Sequence, residues 1–69
     1  MTDTELLEAK IDQSGLKKSY IAQKIGISAF SLAKKLRNEN EFKATEINKM
    51  CKLLNISSLE EKERIFFAN

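Results

Sequence analysis

The chain has 69 residues, with 12 Lys and Arg against 10 Asp and Glu, and it contains neither histidine nor proline. That length makes one domain, residues 1–69, close to the lower limit for folding on a single core, so extra burial through dimerisation is expected. One cysteine, Cys51, excludes an internal disulfide and suits a reducing compartment, and without histidine the scattered carboxylates make no metal site.

Strong helix formers dominate and β-branched residues come singly, which predicts an all-α fold. No signal peptide or membrane-spanning run is present, so a cytoplasmic protein is expected. A glycine-rich phosphate loop is missing, as is a nucleophile beside a base. No enzyme activity, cofactor, small-molecule substrate or membrane partner is therefore expected.

The net charge is only +2, but its placement is uneven. Residues 13–38 carry Lys17, Lys18, Lys24, Lys34, Lys35 and Arg37 and no acid, whereas residues 1–12 hold four acids against Lys10. From residue 39 to 56 the signs balance. Cations gathered this way suit a phosphate backbone. The plain alternative is a solvated basic face with no partner.

A first helix is predicted over residues 3–14. Thr2 and Glu5 have capping-box spacing, and Gly15 is placed to end the helix. Leu7 and Ile11, one turn apart, are core candidates, with Leu6 beside them and Leu16 anchoring the connection. Glu8 and Asp12 are like charges at i, i+4, suited to a solvent face away from any polyanion.

Residues 18–37, around the stretch SYIAQKIGISAFSLAKKL of residues 19–36, read as two short helices around a tight turn. On the first, at about residues 18–25, Ile21, Ala22 and Ile25 share one arc of the helix. Gly26 supplies the left-handed backbone that ends it, Ile27 plugs the corner and Ser28 caps the next helix. Small Ala22 and Gly26 are expected to let the two helices approach closely. The second helix, at about residues 28–37, turns Leu32 and Leu36 to one side, and Phe30, Ala33, Lys34 and Arg37 to another. This is the pattern of a DNA-binding helix-turn-helix. The N-terminus of the first helix offers free N–H groups and a positive dipole end, a ready phosphate site. Tyr20 has two readings, a ring packed on helix 1 or a hydroxyl offered to phosphate. Phe30 also has two, outward on the reading face or inward in a tilted helix.

The connection NENEFK carries one apolar residue, Phe42, expected to fold back onto the core. A fourth helix, about residues 45–54, places Ile47, Met50, Cys51 and Leu54 on one arc and Lys49 and Lys52 opposite. Cys51 thus reads as a small core residue rather than a reactive thiol. The fifth helix starts at Ser57 or Ser58, since both have capping-box spacing to a glutamate. Leu59 and Phe66 form the stripe that should face helices 1 and 4. Ile65, Phe66 and Phe67 point in directions about 100° apart, too widely for one small core. These three are therefore expected to include a homodimer contact, with fraying or tucking inward as the alternatives.

The quoted residues LKKSYIAQKIGISAFSLAKKL resemble the helix-turn-helix of the phage repressor and Cro group, the XRE family. Leu54, Asn55, Ile56 and Ser57 are similar to the Leu-Gly-Val-Ser that closes that family's fourth helix. The apolar pair Leu32 and Leu36 is nearest to small Cro-like phage or prophage regulators. The resemblance covers residues 5 to 57 and implies a compact five-helix lambda-repressor-like domain. It implies base reading by Ala29, Phe30, Ala33 and Lys34, and a backbone contact at Lys18. Lys17 and Ser19 adjoin that contact, and Ser31 lies off the reading face within reach of a phosphate. Lys35, Arg37, Asn38 and Lys43 are implied secondary phosphate contacts, opposed by Glu39 and Glu41. A lysine at position 34 can donate to guanine O6 and N7, while the two alanines and Phe30 offer only apolar contact. Many members of the group carry amides at these positions, so this face makes fewer hydrogen bonds than theirs.

The function expected is a Cro-like repressor, a sequence-specific regulator that binds a double-stranded operator as a homodimer. At 69 residues, a Cro-type protein is expected rather than a full repressor with its sensing or self-cleavage domain. The alternatives are a protein-interaction module that binds another regulator, such as a partner repressor, and an antitoxin-type autoregulator.

Overall fold

A computed structural model describes residues 1–68. Five α-helices and no strand occur among them: α1 Thr4–Ser14, α2 Lys18–Ile25, α3 Ala29–Leu36, α4 Ala44–Leu53 and α5 Leu59–Phe66. The all-α class is the one the composition predicts, and five is the number of helices expected along the chain. No helix among the described residues is long and apolar enough to cross a membrane.

Fifteen apolar residues form one core, centred on the fully buried Leu7, Ile21, Leu32, Met50 and Ile65. Every helix contributes: α1 to α4 carry buried residues at i, i+3 or i+4 spacing, and α5 adds the adjacent Ile65 and Phe66. α2 packs on α3 and α4, and α5 packs on α1. Phe42 folds inward from the α3–α4 connection and meets the Phe66 ring edge-on at 5.6 Å between centroids.

The helix ends are set by local chemistry. Asp3, not Thr2, caps α1: its Oδ1 accepts from Leu6 N–H at 3.1 Å, and the helix begins one residue later than the capping-box spacing implies. Thr2 is instead buried. The segment it belongs to is tied down on two sides, by Asp3 N–H donating to Ile65 O and by Asn38 Nδ2 donating to Thr2 O at 3.0 Å. Ser58 rather than Ser57 caps α5, accepting from Glu61 N–H. Asn55 adopts φ 58° after α4, the left-handed backbone that glycine or asparagine tolerates.

Gly26 takes φ 85°, and its N–H donates to Ala22 O and Gln23 O while Ile27 N–H donates to Ala22 O. A Cβ added at Gly26 would meet nothing within 4 Å. The expectation that Gly26 serves close helix approach is therefore corrected: its backbone angle, not its size, is what the corner requires.

α5 differs most from the sequence reading. Ile65 and Phe66 are 1% and 2% exposed, so both lie inside the core of one chain and not on a free surface. Adjacent helical residues diverge by about 100°, yet both are covered here. The segment before α1 closes over the Ile65 side, and Phe42 closes over the Phe66 side. Leu59 points the other way from expectation, at 69% exposure, because it occupies the first turn, beyond the end of the core. That turn is held by polar ties instead: Lys10 to Glu61 at 2.7 Å and Lys62 to Asn48 at 3.0 Å. Of the three C-terminal apolar residues only Phe67 remains exposed.

Candidate functional site

α3 presents two unlike faces. Leu32 and Leu36 are buried against the core, while Ala29 and Phe30 are exposed and Ala33 and Lys34 are half-buried beside them. The helix is fixed at its start by Ser28, whose hydroxyl accepts from Ser31 N–H at 3.0 Å. Ser31 itself is half-buried. At the other end Asn38 takes φ 59°, and the N–H groups of Asn38 and Glu39 donate to Lys35 O and Lys34 O. Of its two readings, Phe30 takes the outward one, and Lys34 Nζ lies 5.6 Å from its ring centroid. The face thus consists of two alanine methyls, an uncovered ring and one cation.

α2 supplies the other half of the surface. Lys17, Lys18 and Ser19 are all exposed at its start, and no side chain caps the first-turn N–H groups. Tyr20 is 41% exposed, with Lys24 Nζ 5.5 Å from its ring centroid. Lys24 therefore belongs to the same cationic surface. The i, i+4 spacing of Tyr20 and Lys24 in an acid-free stretch is the signal that would have found it.

The basic residues are not equally free. Lys18 Nζ lies 2.9 Å from Glu8 Oε1 and 3.2 Å from Oε2. The spacing along α1 suggests a face for Glu8 remote from the basic surface; the structure brings it to the edge of that surface, since α1 ends beside the start of α2. Arg37 Nε donates to Glu39 at 2.6 Å. That hydrogen bond, with the charge of Arg37, holds the Glu39 carboxyl below its ordinary range, and Glu39 in turn raises the Arg37 pKa. Both pairs are solvent-exposed and exchange readily with other partners.

Two residues expected at phosphate are committed elsewhere, one wholly and one in part. Lys35 is 6% exposed and its Nζ lies 2.5 Å from Glu46 Oε1, a buried ion pair joining α3 to α4. It is not an accessible phosphate contact, because it lies one turn on from the buried Leu32 and pairs with Glu46 of α4. Asn38 is exposed and commits one of its two amide hydrogens to Thr2 O, keeping the other free for a phosphate. Lys43 stays exposed, and its N–H donates to Glu46 Oε1 at 2.9 Å at the start of α4. Burial raises the Glu46 carboxyl pKa, but hydrogen bonds from Lys35 and Lys43 and the charges of both outweigh it, so the group titrates below its ordinary 4.5.

The α2–α3 pair thus carries Lys18, Ser19 and Lys24 on α2, with Lys17 just before it, and Ala29, Phe30, Ala33 and Lys34 on α3. No acidic residue lies on either helix. Set against models of known families, against curated proteins and against solved structures, the chain matches none of them.

Proposed function

We propose that the chain is a sequence-specific double-stranded DNA-binding regulator, with α3 in the major groove and the start of α2 on the phosphate backbone. The observation that carries this reading is the α2–α3 pair itself. Its corner is set by Gly26 at φ 85°. The second helix buries Leu32 and Leu36 while exposing Phe30 and Lys34, and no acid lies between residues 13 and 38. A helix is narrow enough to enter the major groove, and cations beside it neutralise phosphates. The repressor/Cro resemblance points the same way. We assign base reading to Ala29, Phe30, Ala33 and Lys34, and backbone contact to Lys17, Lys18, Ser19, Ser31, Arg37 and Lys43. A homodimer joined through the exposed Phe67 would set two recognition helices about 34 Å apart, one DNA turn.

One observation favours the protein-interaction reading. Phe30 is a large apolar side chain left 72% exposed, and the surface cations Lys18 and Arg37 are already paired with acids. A gel shift against DNA flanking the chain's own gene, repeated over a range of salt, separates the two. Binding whose logarithm falls linearly with log salt supports the regulator. Tight binding to a partner regulator with no DNA affinity overturns it.

A further inference from the structure

Phe30 is the most exposed large apolar side chain among the described residues, and Lys34, one turn on, holds its ammonium 5.6 Å from the ring centroid. An aromatic ring left in water forgoes the free energy of burial unless a ligand covers it. The polar capacity of the surrounding face is one-sided. Of Ala29, Phe30, Ala33 and Lys34 only the lysine has a polar group, and an ammonium donates hydrogen bonds without accepting any. In the major groove guanine shows two acceptors, N7 and O6, and thymine shows the O4 acceptor and a methyl group. Adenine shows the N7 acceptor beside an amino donor, and cytosine shows an amino donor. A lysine donor can bond both O6 and N7 of guanine but only N7 of adenine, and an apolar ring gains most against the methyl group that thymine alone carries.

We propose, resting on the DNA-binding reading above, that Phe30 and Lys34 act as one unit selecting a thymine close to a guanine. Phe30 covers the thymine C5 methyl while Lys34 donates to guanine O6 and N7. The 5.6 Å between ring and ammonium corresponds to one or two base steps of about 3.4 Å, so the two bases are neighbours or next neighbours. Thymine specificity is thereby carried by a methyl group and not by a hydrogen bond.

The test uses the whole chain and a pool of random duplexes. The enriched site should contain thymine and guanine one or two steps apart. That site is then remade with deoxyuridine at each thymine in turn, which deletes only the methyl. At the Phe30 contact the loss should weaken binding about fourfold, which corresponds to about 0.8 kcal/mol. The Phe30→Ala chain should bind the thymine and uracil duplexes equally; because the ring is solvent-exposed, this variant keeps its core. If every deoxyuridine replacement is silent, or if the effect persists in Phe30→Ala, the proposal falls while DNA reading stands. If no duplex is enriched, the proposal and the DNA-binding reading fall together.

Discussion

Exchanging Glu46 for glutamine removes one charge and little else. The side chains of Lys35 and Glu46 are 7% and 8% exposed and 2.5 Å apart, so Glu46→Gln leaves an ammonium in the interior without its counter-charge. The glutamine oxygen can still accept from Lys43 N–H, which keeps the start of α4 intact. Breaking a buried pair from one side costs about 3–5 kcal/mol. The Phe42 ring, 5.8 Å from Lys35 Nζ, contacts the ammonium in parent and variant alike and does not change this difference. At about 0.05–0.15 kcal/mol per residue the whole domain holds about 3–10 kcal/mol, so a third or more of its stability goes. Urea unfolding followed by circular dichroism should show the midpoint falling by about 3–5 M at a slope of about 1 kcal/mol/M. Adding Lys35→Met to Glu46→Gln should restore most of the loss, since the stranded charge is gone. The pair also sets an acid limit. The Glu46 carboxyl is depressed in the folded chain, so its contribution is present above its ordinary 4.5 and is lost as pH falls below that value. Stability should fall less steeply there in Glu46→Gln. A Glu46→Gln chain within about 0.5 kcal/mol of the parent, or a double variant no better than the single one, would refute the reasoning.

Gly26→Ala should cost about 1–2 kcal/mol from forcing an L residue to φ 85°, with Gly26→Asn milder, although neither meets a steric obstacle; an unchanged melting temperature for Gly26→Ala would contradict the corner's geometry. Lys34→Ala should weaken specific DNA binding by about 1–3 kcal/mol and relax preference at one base position per half-site, as read from binding to operator variants. Lys18→Ala should lower the salt slope by about 1 for each phosphate left without its cation, whereas Glu8→Gln should tighten binding by freeing Lys18; an unaltered slope removes Lys18 from the phosphate-binding residues. Phe67→Ala should lower dimer affinity while leaving helix content unchanged, because Phe67 alone of the C-terminal apolar triplet is exposed. Sedimentation of the parent chain as a monomer at high micromolar concentration would refute that assignment.

The first four helices were legible through their 3.6-residue apolar pattern, and helix ends through Gly15, Gly26 and Ser28, with Ser58 one of the two starts the spacing allowed for α5. Phe42 and Cys51 were legible as core for a related reason, an apolar residue in a polar loop and a small one on an apolar arc. What escaped was long-range. Nothing local marks Thr2 as buried, since its partner Asn38 lies 36 residues away. Lys35 looked like one more member of a basic run, and its inward turn depends on Glu46 arriving from another helix. Ile65 and Phe66 looked too divergent for one core because helical geometry alone does not reveal that two separate segments close over the end of α5. Glu8 escaped likewise, through an ion pair between helices rather than along one.

Cys51, on the inner side of α4, also gives this chain a clock. Burial raises the thiol's pKa, with the opposing charges of Lys62 and Glu61 on α5 the nearest others. A thiol held protonated and covered reacts with an alkylating reagent only when the core opens, since the thiolate is the nucleophile. With one cysteine in the sequence, every labelled molecule reports that single event. Slow reagent gives the opening equilibrium and fast reagent gives the opening rate. Because α5 lies over the site, the clock registers α5 lifting away as well as whole-chain unfolding. DNA that engages only α2 and α3 should slow global opening, by stabilising the folded chain, and leave a local α5 excursion running at its own pace.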